Sequence, residues 1–212
     1  MYSVDNSERW DFFIRAIARK LNFEDRIVAV KKDATKFVPD RCIDFVIAEL
    51  VFAGLVREPL VQAAINIQNY VSTSAKFLPE SAVSTIKLYD EERKVFISET
   101  KEYDNAHLPS INRLGINREI ELKITEDGVP SHAVLETVLH HPNGRITAEF
   151  ESLCKPLYLP LRYINGTGKK LIVKKIFGSR NDKANTGETI IVKIAYNYGS
   201  SNLQLGARLK NF

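Results

Sequence analysis

The sequence is poor in the residues that carry most metal and disulfide chemistry. Its 212 residues include two cysteines and four histidines. Two thiols in a chain of this length are too few for a disulfide framework, so we expect Cys42 and Cys154 to be reduced and partly buried. His132 is too far from His140 along an extended strand, and His140 and His141 face opposite sides, so we predict no metal site.

Long apolar runs and leader-like segments are also missing. The longest apolar stretch, 43–56, is too short to cross a bilayer, and Asp44 and Glu49 interrupt it. The first five residues have neither a basic region nor an apolar core. We therefore expect no secretory signal, no membrane association, and a location in the cytoplasm or in a particle assembled there.

Recognisable catalytic and cofactor motifs are absent as well. Residues 166–170, GTGKK, have the glycines and lysine of a phosphate-binding loop, but Tyr163 and Lys170 stand where the Walker pattern has glycine and Ser or Thr. The stretch also joins two predicted strands, whereas a phosphate loop opens a helix. The acidic run 90–92 is typical of a solvated turn. We predict no catalytic residue, no cofactor and no enzyme activity.

The first 80 residues have mostly helical hydrophobic periodicity. Asp5, with Glu8 three residues later, predicts the start of a first helix. Apolar faces predict a second helix over Arg41–Val56 and a third over Pro59–Val71, with a short strand over Arg26–Val30 between the first two. A helical region over residues 1–80 is the expected result.

After residue 80 the period changes from 3.6 to 2. The predicted strands are Thr85–Tyr89, Val95–Ser98, Glu119–Thr125, Ala133–His140, Arg145–Phe150, Leu157–Ile164, Leu171–Phe177, Thr189–Tyr196 and a short one over Leu203–Leu209. Asn165-Gly166 and Pro142-Asn143-Gly144 predict hairpins, and Thr100–Asn117 reads as a long link. We therefore predict an α+β chain with two parts, a helical region at 1–80 and an antiparallel β-sandwich or barrel at 81–212.

The last third of the chain is strongly basic. Residues 152–212 contain eleven lysine and arginine residues and two acidic ones, a net charge of +9 in a chain whose total is +4, so residues 1–151 carry −5. The residues predicted to bind an acidic partner are Arg162, Lys169, Lys170, Lys174, Lys175, Arg180, Lys183 and Lys193. Three interpretations stay open: single-stranded nucleic-acid binding, lysines that protect edge strands from aggregation, and docking on the acidic part of another copy.

These observations favour a non-enzymatic structural or assembly subunit of a larger complex. A component of a viral or phage particle, such as a capsid, neck or tail protein, is the concrete version, with further copies or other protein subunits as partners. The alternative is a nucleic-acid-binding module that uses the basic C-terminal sheet. A third hypothesis is an enzyme whose site is assembled from residues distant in sequence.

Overall fold

The fold has two halves that meet near residue 80. A computed structural model of the chain describes residues 1–144, 146–147, 155–161, 172–173 and 183–210, with the backbone alone at the two dipeptides. Residues 1–80 form two strand–helix–strand units, and the residues after them form two largely antiparallel sheets.

The first unit comprises strand β1 (Tyr2–Asp5), helix α1 (Glu8–Lys20) and strand β2 (Val28–Lys31). The two strands are hydrogen-bonded in parallel, and α1 connects them. Helix α1 begins after Ser7, whose Oγ accepts a hydrogen bond from the Trp10 amide at 3.4 Å. The unit therefore has the arrangement that is standard in parallel α/β sheets.

The second unit repeats this arrangement. It comprises strand β3 (Ile43–Ile47), helix α2 (Leu60–Ile67) and strand β4 (Val71–Leu78), and β3 and β4 are also parallel. Helix α2 confirms most of the helix predicted over Pro59–Val71. Three short 3-10 turns lie at Ala34–Lys36, Ala53–Leu55 and Gln68–Tyr70.

The helix predicted over Arg41–Val56 is wrong. The chain there forms β3, an extended segment and the 3-10 turn, in which Gly54 has a φ of +67°. A strand in a parallel sheet reads as a continuous apolar run, and periodicity alone cannot distinguish a short run of this kind from a helix. The predicted fold class, an N-terminal helical region followed by an antiparallel sandwich or barrel, is consequently wrong: residues 1–80 contain four strands in parallel pairs.

The described residues after position 80 contain ten further strands. They are β5 (Ser81–Asp90), β6 (Val95–Phe96), β7 (Lys101–His107), β8 (Gly115–Lys123), β9 (His132–His140), β10 (Ile146–Thr147), β11 (Leu157–Pro160), β12 (Ile172–Val173), β13 (Thr189–Asn197) and β14 (Gln204–Leu209). One sheet contains β5, β6, β7, β9, β10 and β11, all in antiparallel pairs. The other has the order β12-β14-β13-β8, with β12 parallel to β14.

Several of these strands agree with the alternation in the sequence. The predicted strand over Thr189–Tyr196 coincides with β13, in which Ile190 and Ile194 are fully buried. The predicted hairpin at 142–144 is confirmed, because β9 and β10 pair antiparallel on either side of it. The hairpin predicted at Asn165-Gly166 lies outside the described residues, and β11 pairs with β9.

The predicted long link over Thr100–Asn117 is wrong. It contains β7, which pairs with β5, and the start of β8, which pairs with β13. The two halves of the molecule also share one apolar core. Leu55 and Leu60 belong to the same buried cluster as Ile86, Leu122 and Ile194. The boundary predicted at residue 80 stays a prediction, but the core crosses it.

Candidate active site

Acidic side chains follow three of the parallel strands in the first half. Asp5 ends β1, Asp33 comes two residues after β2, and Glu49 comes two residues after β3. In open α/β sheets, ligands bind outside the carboxyl ends of the strands. We therefore define the candidate active site as the carboxyl ends of β1, β2 and β3 together with the loop that runs from Glu49 to Glu58.

Asp5 forms one wall of a shallow groove at this end of β1. Its Oδ1 accepts a hydrogen bond from the Ser7 amide at 2.7 Å, and Ser7 rather than Asp5 caps helix α1. The groove has a volume of about 470 Å³ and is lined by Asp5, Ser7, Arg9, Trp10 and Phe13. A carboxylate next to aromatic side chains suits a ligand that has a flat apolar face and a hydrogen-bond donor.

The Asp33 carboxylate forms its hydrogen bonds with the 3-10 turn that follows it. Its Oδ1 accepts hydrogen bonds from the Thr35 hydroxyl at 2.8 Å and from the Thr35 amide at 2.9 Å. The hydroxyl and then the amide lower the pKa of Asp33, because both donors stabilise the ionised carboxylate. Asp33 therefore caps the following 3-10 turn as an anion.

Glu49 and Glu58 lie at the two ends of the loop between β3 and α2. Glu49 is exposed and Glu58 is half-buried. Neither carboxylate forms a hydrogen bond or ion pair with any residue in the part of the chain that the structure describes. No group of three or more metal-ligating side chains comes together among those residues. Two unpaired carboxylates on one short loop are suited to bind a cation with several N–H donors.

The middle of this loop is clamped to the sheets of the second half. The Gly54 amide donates a hydrogen bond to Thr137 Oγ1 at 2.8 Å, and the Tyr196 hydroxyl donates to the Gly54 carbonyl. Tyr103 Oη lies 3.2 Å from Tyr196 Oη. A Cβ at position 54 would lie 2.8 Å from Tyr103 Oη, so both the positive φ and the close contact require glycine.

A buried carboxylate extends this cluster. Asp104 accepts hydrogen bonds from the Tyr198 hydroxyl at 2.6 Å and from the Arg113 guanidinium, and its side chain is 1% exposed. Burial raises the pKa of Tyr103, Tyr196 and Tyr198 well above the usual range. The three hydroxyls are therefore protonated and able to donate hydrogen bonds at neutral pH. The Tyr196 hydroxyl, with that of Tyr103 beside it, holds the loop between the two glutamates at Gly54.

Two of the basic residues singled out in the sequence are described, and both lie away from this site. Lys183 lies 3.3 Å from Asp127, and Lys193 is an exposed residue of β13 opposite Glu119 of β8. Arg162, Lys169, Lys170, Lys174, Lys175 and Arg180 lie outside the described residues. Their predicted role in binding an acidic partner stays a prediction.

Acidic side chains of β8 face the described end of the basic segment. Lys210 forms an ion pair with Glu121 at 2.9 Å, and Arg208 lies 3.9 Å from Glu119. Part of the charge contrast between the two ends of the chain is therefore compensated within the molecule.

Solved structures with similar folds include two protein arginine methyltransferases. The Trypanosoma brucei PRMT1 enzyme–prozyme heterotetrameric complex with AdoHcy matches 99% of this chain and 77% of its own chain, with a TM-score of 0.74 at 12% identity. Arabidopsis thaliana protein arginine methyltransferase 10 matches 99% and 78%, with a TM-score of 0.68 at 8% identity. At these identities the likeness establishes the fold.

Comparison of the sequence with known proteins does not assign the chain to a family. No family model matches the chain. An uncharacterized protein of Methanocaldococcus jannaschii is 27% identical over 154 residues, which are 67% of this chain and 60% of that protein. The chain thus spans about three-fifths of the length of this curated relative.

These comparisons overturn the functional expectations from the sequence. A non-enzymatic subunit, the viral or phage particle component and the nucleic-acid-binding alternative are all wrong, because the fold is that of two methyltransferase enzymes. The expectation of protein partners agrees in coarse form with the trypanosomal protein, which is found in a heterotetramer. Among the described residues, neither helix is long and apolar enough to cross a membrane.

Glu49 and Glu58 were not among the site residues predicted from the sequence. They are nine positions apart, with Arg57 as the only charged residue between them, and the helix predicted over Arg41–Val56 hides most of this loop. The signal that was present is Gly54, which is unfavourable within a helix and marks the turn midway between the two acids.

Proposed function

We propose that this chain forms part of a methyltransferase that methylates the guanidinium group of an arginine side chain in a protein. The observation that carries the proposal is the likeness of 99% of the chain to two protein arginine methyltransferases, at TM-scores of 0.74 and 0.68. The candidate active site adds independent support, because its residues suit both a cationic substrate and a nucleoside cofactor.

Glu49 and Glu58 are the substrate-binding residues in this proposal. A guanidinium is planar, always charged and rich in N–H donors, and carboxylates bind it through paired hydrogen bonds. Both glutamates lack partners among the described residues, and the clamp at Gly54 fixes the loop between them. Preorganised carboxylates bind and orient the substrate with less loss of conformational entropy on binding.

The groove at the end of β1 fits the nucleoside part of the cofactor. Asp5 Oδ1 is engaged with the Ser7 amide, and its second oxygen is free to accept a hydrogen bond from a ribose hydroxyl. Trp10 is 41% and Phe13 is 53% exposed, and both supply apolar surface for a flat base. S-adenosylmethionine supplies an electrophilic methyl group when it is bound. Asp5, Trp10 and Phe13 would hold it at the strand end.

Association with a second protein chain belongs to the same proposal. The trypanosomal PRMT1 enzyme is found with a prozyme in a heterotetramer. In this protein, the associated chain is either a further copy of the same chain or a different subunit.

The proposal is tested by methyl transfer. The purified protein is incubated with S-adenosylmethionine that carries a labelled methyl group and with a Gly/Arg-rich peptide. The same peptide with lysine in place of every arginine serves as the comparison. We expect label on arginine and none on lysine. Glu58→Gln should lower the rate about tenfold or more, because hydrogen bonds to charged groups contribute about 1.5–3 kcal/mol.

The matched control is Glu24→Gln. Glu24 is exposed, pairs with Arg19 at 3.1 Å and precedes β2, at the opposite end of the strand from the site. It should keep the wild-type rate. Equal labelling of both peptides, or a Glu58→Gln rate equal to that of wild type, would contradict the proposal.

A further inference from the structure

The turn between β13 and β14, residues 198–203, is hydrogen-bonded to the loop between β3 and α2. Three consecutive carbonyls of that loop accept hydrogen bonds from this turn or from the strand before it. The pairs are the Tyr196 hydroxyl with Gly54, the Gly199 amide with Leu55 at 3.0 Å, and the Ser201 amide with Val56 at 3.0 Å. The second half of the molecule therefore holds the loop up to the position two residues before Glu58.

The same turn also contacts the start of α2, directly after Glu58. Gln62 Nε2 donates a hydrogen bond to the Tyr198 carbonyl. A Cβ added to Gly199 would lie 2.9 Å from Gln62 Nε2 and 3.2 Å from Pro59 Cα, so the backbone of the turn approaches the helix closely. The φ of Gly199 is +63°, and this position therefore requires glycine for two reasons. The turn thus holds the chain on both sides of Glu58.

The cation next to Glu58 in the sequence stacks on an aromatic ring instead of pairing with the glutamate. The Arg57 guanidinium lies 4.9 Å from the centre of the Phe52 ring, and Arg57 and Glu58, both described, form no ion pair with each other. Leu55 is fully buried and has a φ of +56°, a conformation that leucine adopts only where surrounding contacts impose it. The loop is therefore held in a shape that its own sequence does not favour.

We propose that the turn between β13 and β14 positions Glu58 for the guanidinium of the substrate arginine, with Gly199 as the positioning residue. The hydrogen bond at Val56 and the close approach at Pro59 fix the backbone before and after the glutamate. A displacement of about 1 Å at a substrate-binding group can lower a reaction rate about a hundredfold. The inference rests on the proposed function, because that function gives Glu58 its substrate. It extends the site to a turn that acts through the glutamate.

Gly199→Ala tests the inference, and Gly187→Ala is its matched control. The φ of Gly187 is +93°, so both variants strain the backbone, but a Cβ added at Gly187 meets nothing within 4 Å. Gly199→Ala should raise the KM for the Gly/Arg-rich peptide about tenfold. The KM for S-adenosylmethionine should stay unchanged, because the groove that fits it is lined by residues 5–13. A variant that merely folded less well would lower kcat and leave both KM values in place.

A second pair of variants decides the question if Gly199→Ala does not fold. Gln62→Leu removes the donor to the Tyr198 carbonyl, and Gln68→Leu removes a donor to two carbonyls of the second half that lie outside the turn. Gln62→Leu should raise the peptide KM about threefold, as expected for the loss of one hydrogen bond. Gln68→Leu should keep the wild-type value.

Amide hydrogen exchange separates this inference from the proposed function. Exchange of the amides from Leu55 to Glu58 should be about tenfold faster in Gly199→Ala than in Gly187→Ala, because the turn no longer holds the loop. This comparison needs no substrate. Wild-type protein that transfers no methyl group would contradict the proposed function, and exchange would still decide whether the turn holds Glu58. Equal exchange in the two glycine variants, or equal peptide KM values within both pairs, would overturn the inference.

Discussion

Individual tyrosine hydroxyls determine the shape of the loop between Glu49 and Glu58. Tyr196 is 4% exposed, and its hydroxyl bonds the Gly54 carbonyl and lies beside that of Tyr103. The interactions are specific to a hydroxyl at the end of an aromatic ring, and phenylalanine fills the same space without them. The loop is therefore ordered by residues distant in the sequence, and Tyr196 is 142 positions from Gly54.

Tyr196→Phe should lower the free energy of unfolding by about 1–3 kcal/mol, because it leaves the buried Gly54 carbonyl without this donor. Urea unfolding monitored by circular dichroism measures the change. Tyr70→Phe is the control, since the Tyr70 hydroxyl has no hydrogen-bond partner among the described residues, and its effect should stay within about 0.5 kcal/mol. Equal destabilisation by both variants would contradict the role given to the Tyr196 hydroxyl.

At the same scale, the sequence revealed the turn residue but not its acidic neighbours. Gly54 stands out as unfavourable in a helix, whereas Glu49 and Glu58 look like ordinary solvent-exposed acids on either side of it. Their importance depends on where β3 ends and on their having no hydrogen-bond or ion-pair partner among the described residues. Neither property is encoded in a local sequence pattern. Asp104 is a similar case, because only Arg113 and Tyr198 explain why it is buried.

At the scale of the elements, the alternation of apolar and polar residues predicted the strands that have one solvent-exposed face. In β8 and β13 apolar residues alternate with polar ones, and both strands were recognised from that period. The strands missed are β1, β3, β4 and β7. β3 is a short apolar run interrupted only by Asp44, and the sequence of β7, KEYDNAH, is polar because it buries Asp104 in a hydrogen-bonded pocket.

The loop before β13 depends on one carboxylate that belongs to another element. Asp127, between β8 and β9, accepts hydrogen bonds from the Thr186 amide and hydroxyl, both at 2.8 Å, and lies 3.3 Å from Lys183. The Thr186 amide, then its hydroxyl and Lys183, lower the pKa of Asp127 from 3.8 to about 2. A carboxyl group with a lowered pKa stabilises the folded state above its unfolded pKa, and the contribution is lost as pH falls towards the folded value.

Asp127→Asn should therefore flatten the acid limb of the stability curve. Between pH 3.8 and about 2 the wild-type protein loses this contribution and the variant does not. Thermal unfolding at a series of pH values measures the difference. Asp25→Asn, at a carboxylate whose single ion pair with Arg26 is 3.9 Å long, should retain the wild-type profile. Parallel acid limbs for wild type and Asp127→Asn would refute the assignment.

At the scale of the whole molecule, the halves on either side of residue 80 share one interior. Leu55 and Leu60 are fully buried in the same cluster as Leu88, Leu135 and Tyr198. A change of hydrophobic period along the sequence marks a change of secondary structure, and it says nothing about whether two cores are separate. This is why the period change near residue 80 was visible in the sequence and the shared core was not.

Separate expression of residues 1–80 and 81–212 should give two polypeptides without fixed tertiary packing. Each piece loses one side of the shared core, and a smaller piece buries a smaller fraction of its surface on folding than the intact chain does. Near-ultraviolet circular dichroism of the two pieces, alone and mixed, measures this, with the intact chain as the reference. A native-like signal from residues 81–212 alone would show that the second half is independent.

The clamp at Gly54 also sets the order in which the protein can mature on the ribosome. The loop between Glu49 and Glu58 is synthesised more than a hundred residues before Tyr196, which bonds the Gly54 carbonyl. A nascent chain therefore carries an unshaped loop until β13 leaves the exit tunnel. A premature stop codon anywhere before position 196 would leave the loop without this tyrosine, even though every residue of the loop itself had been made.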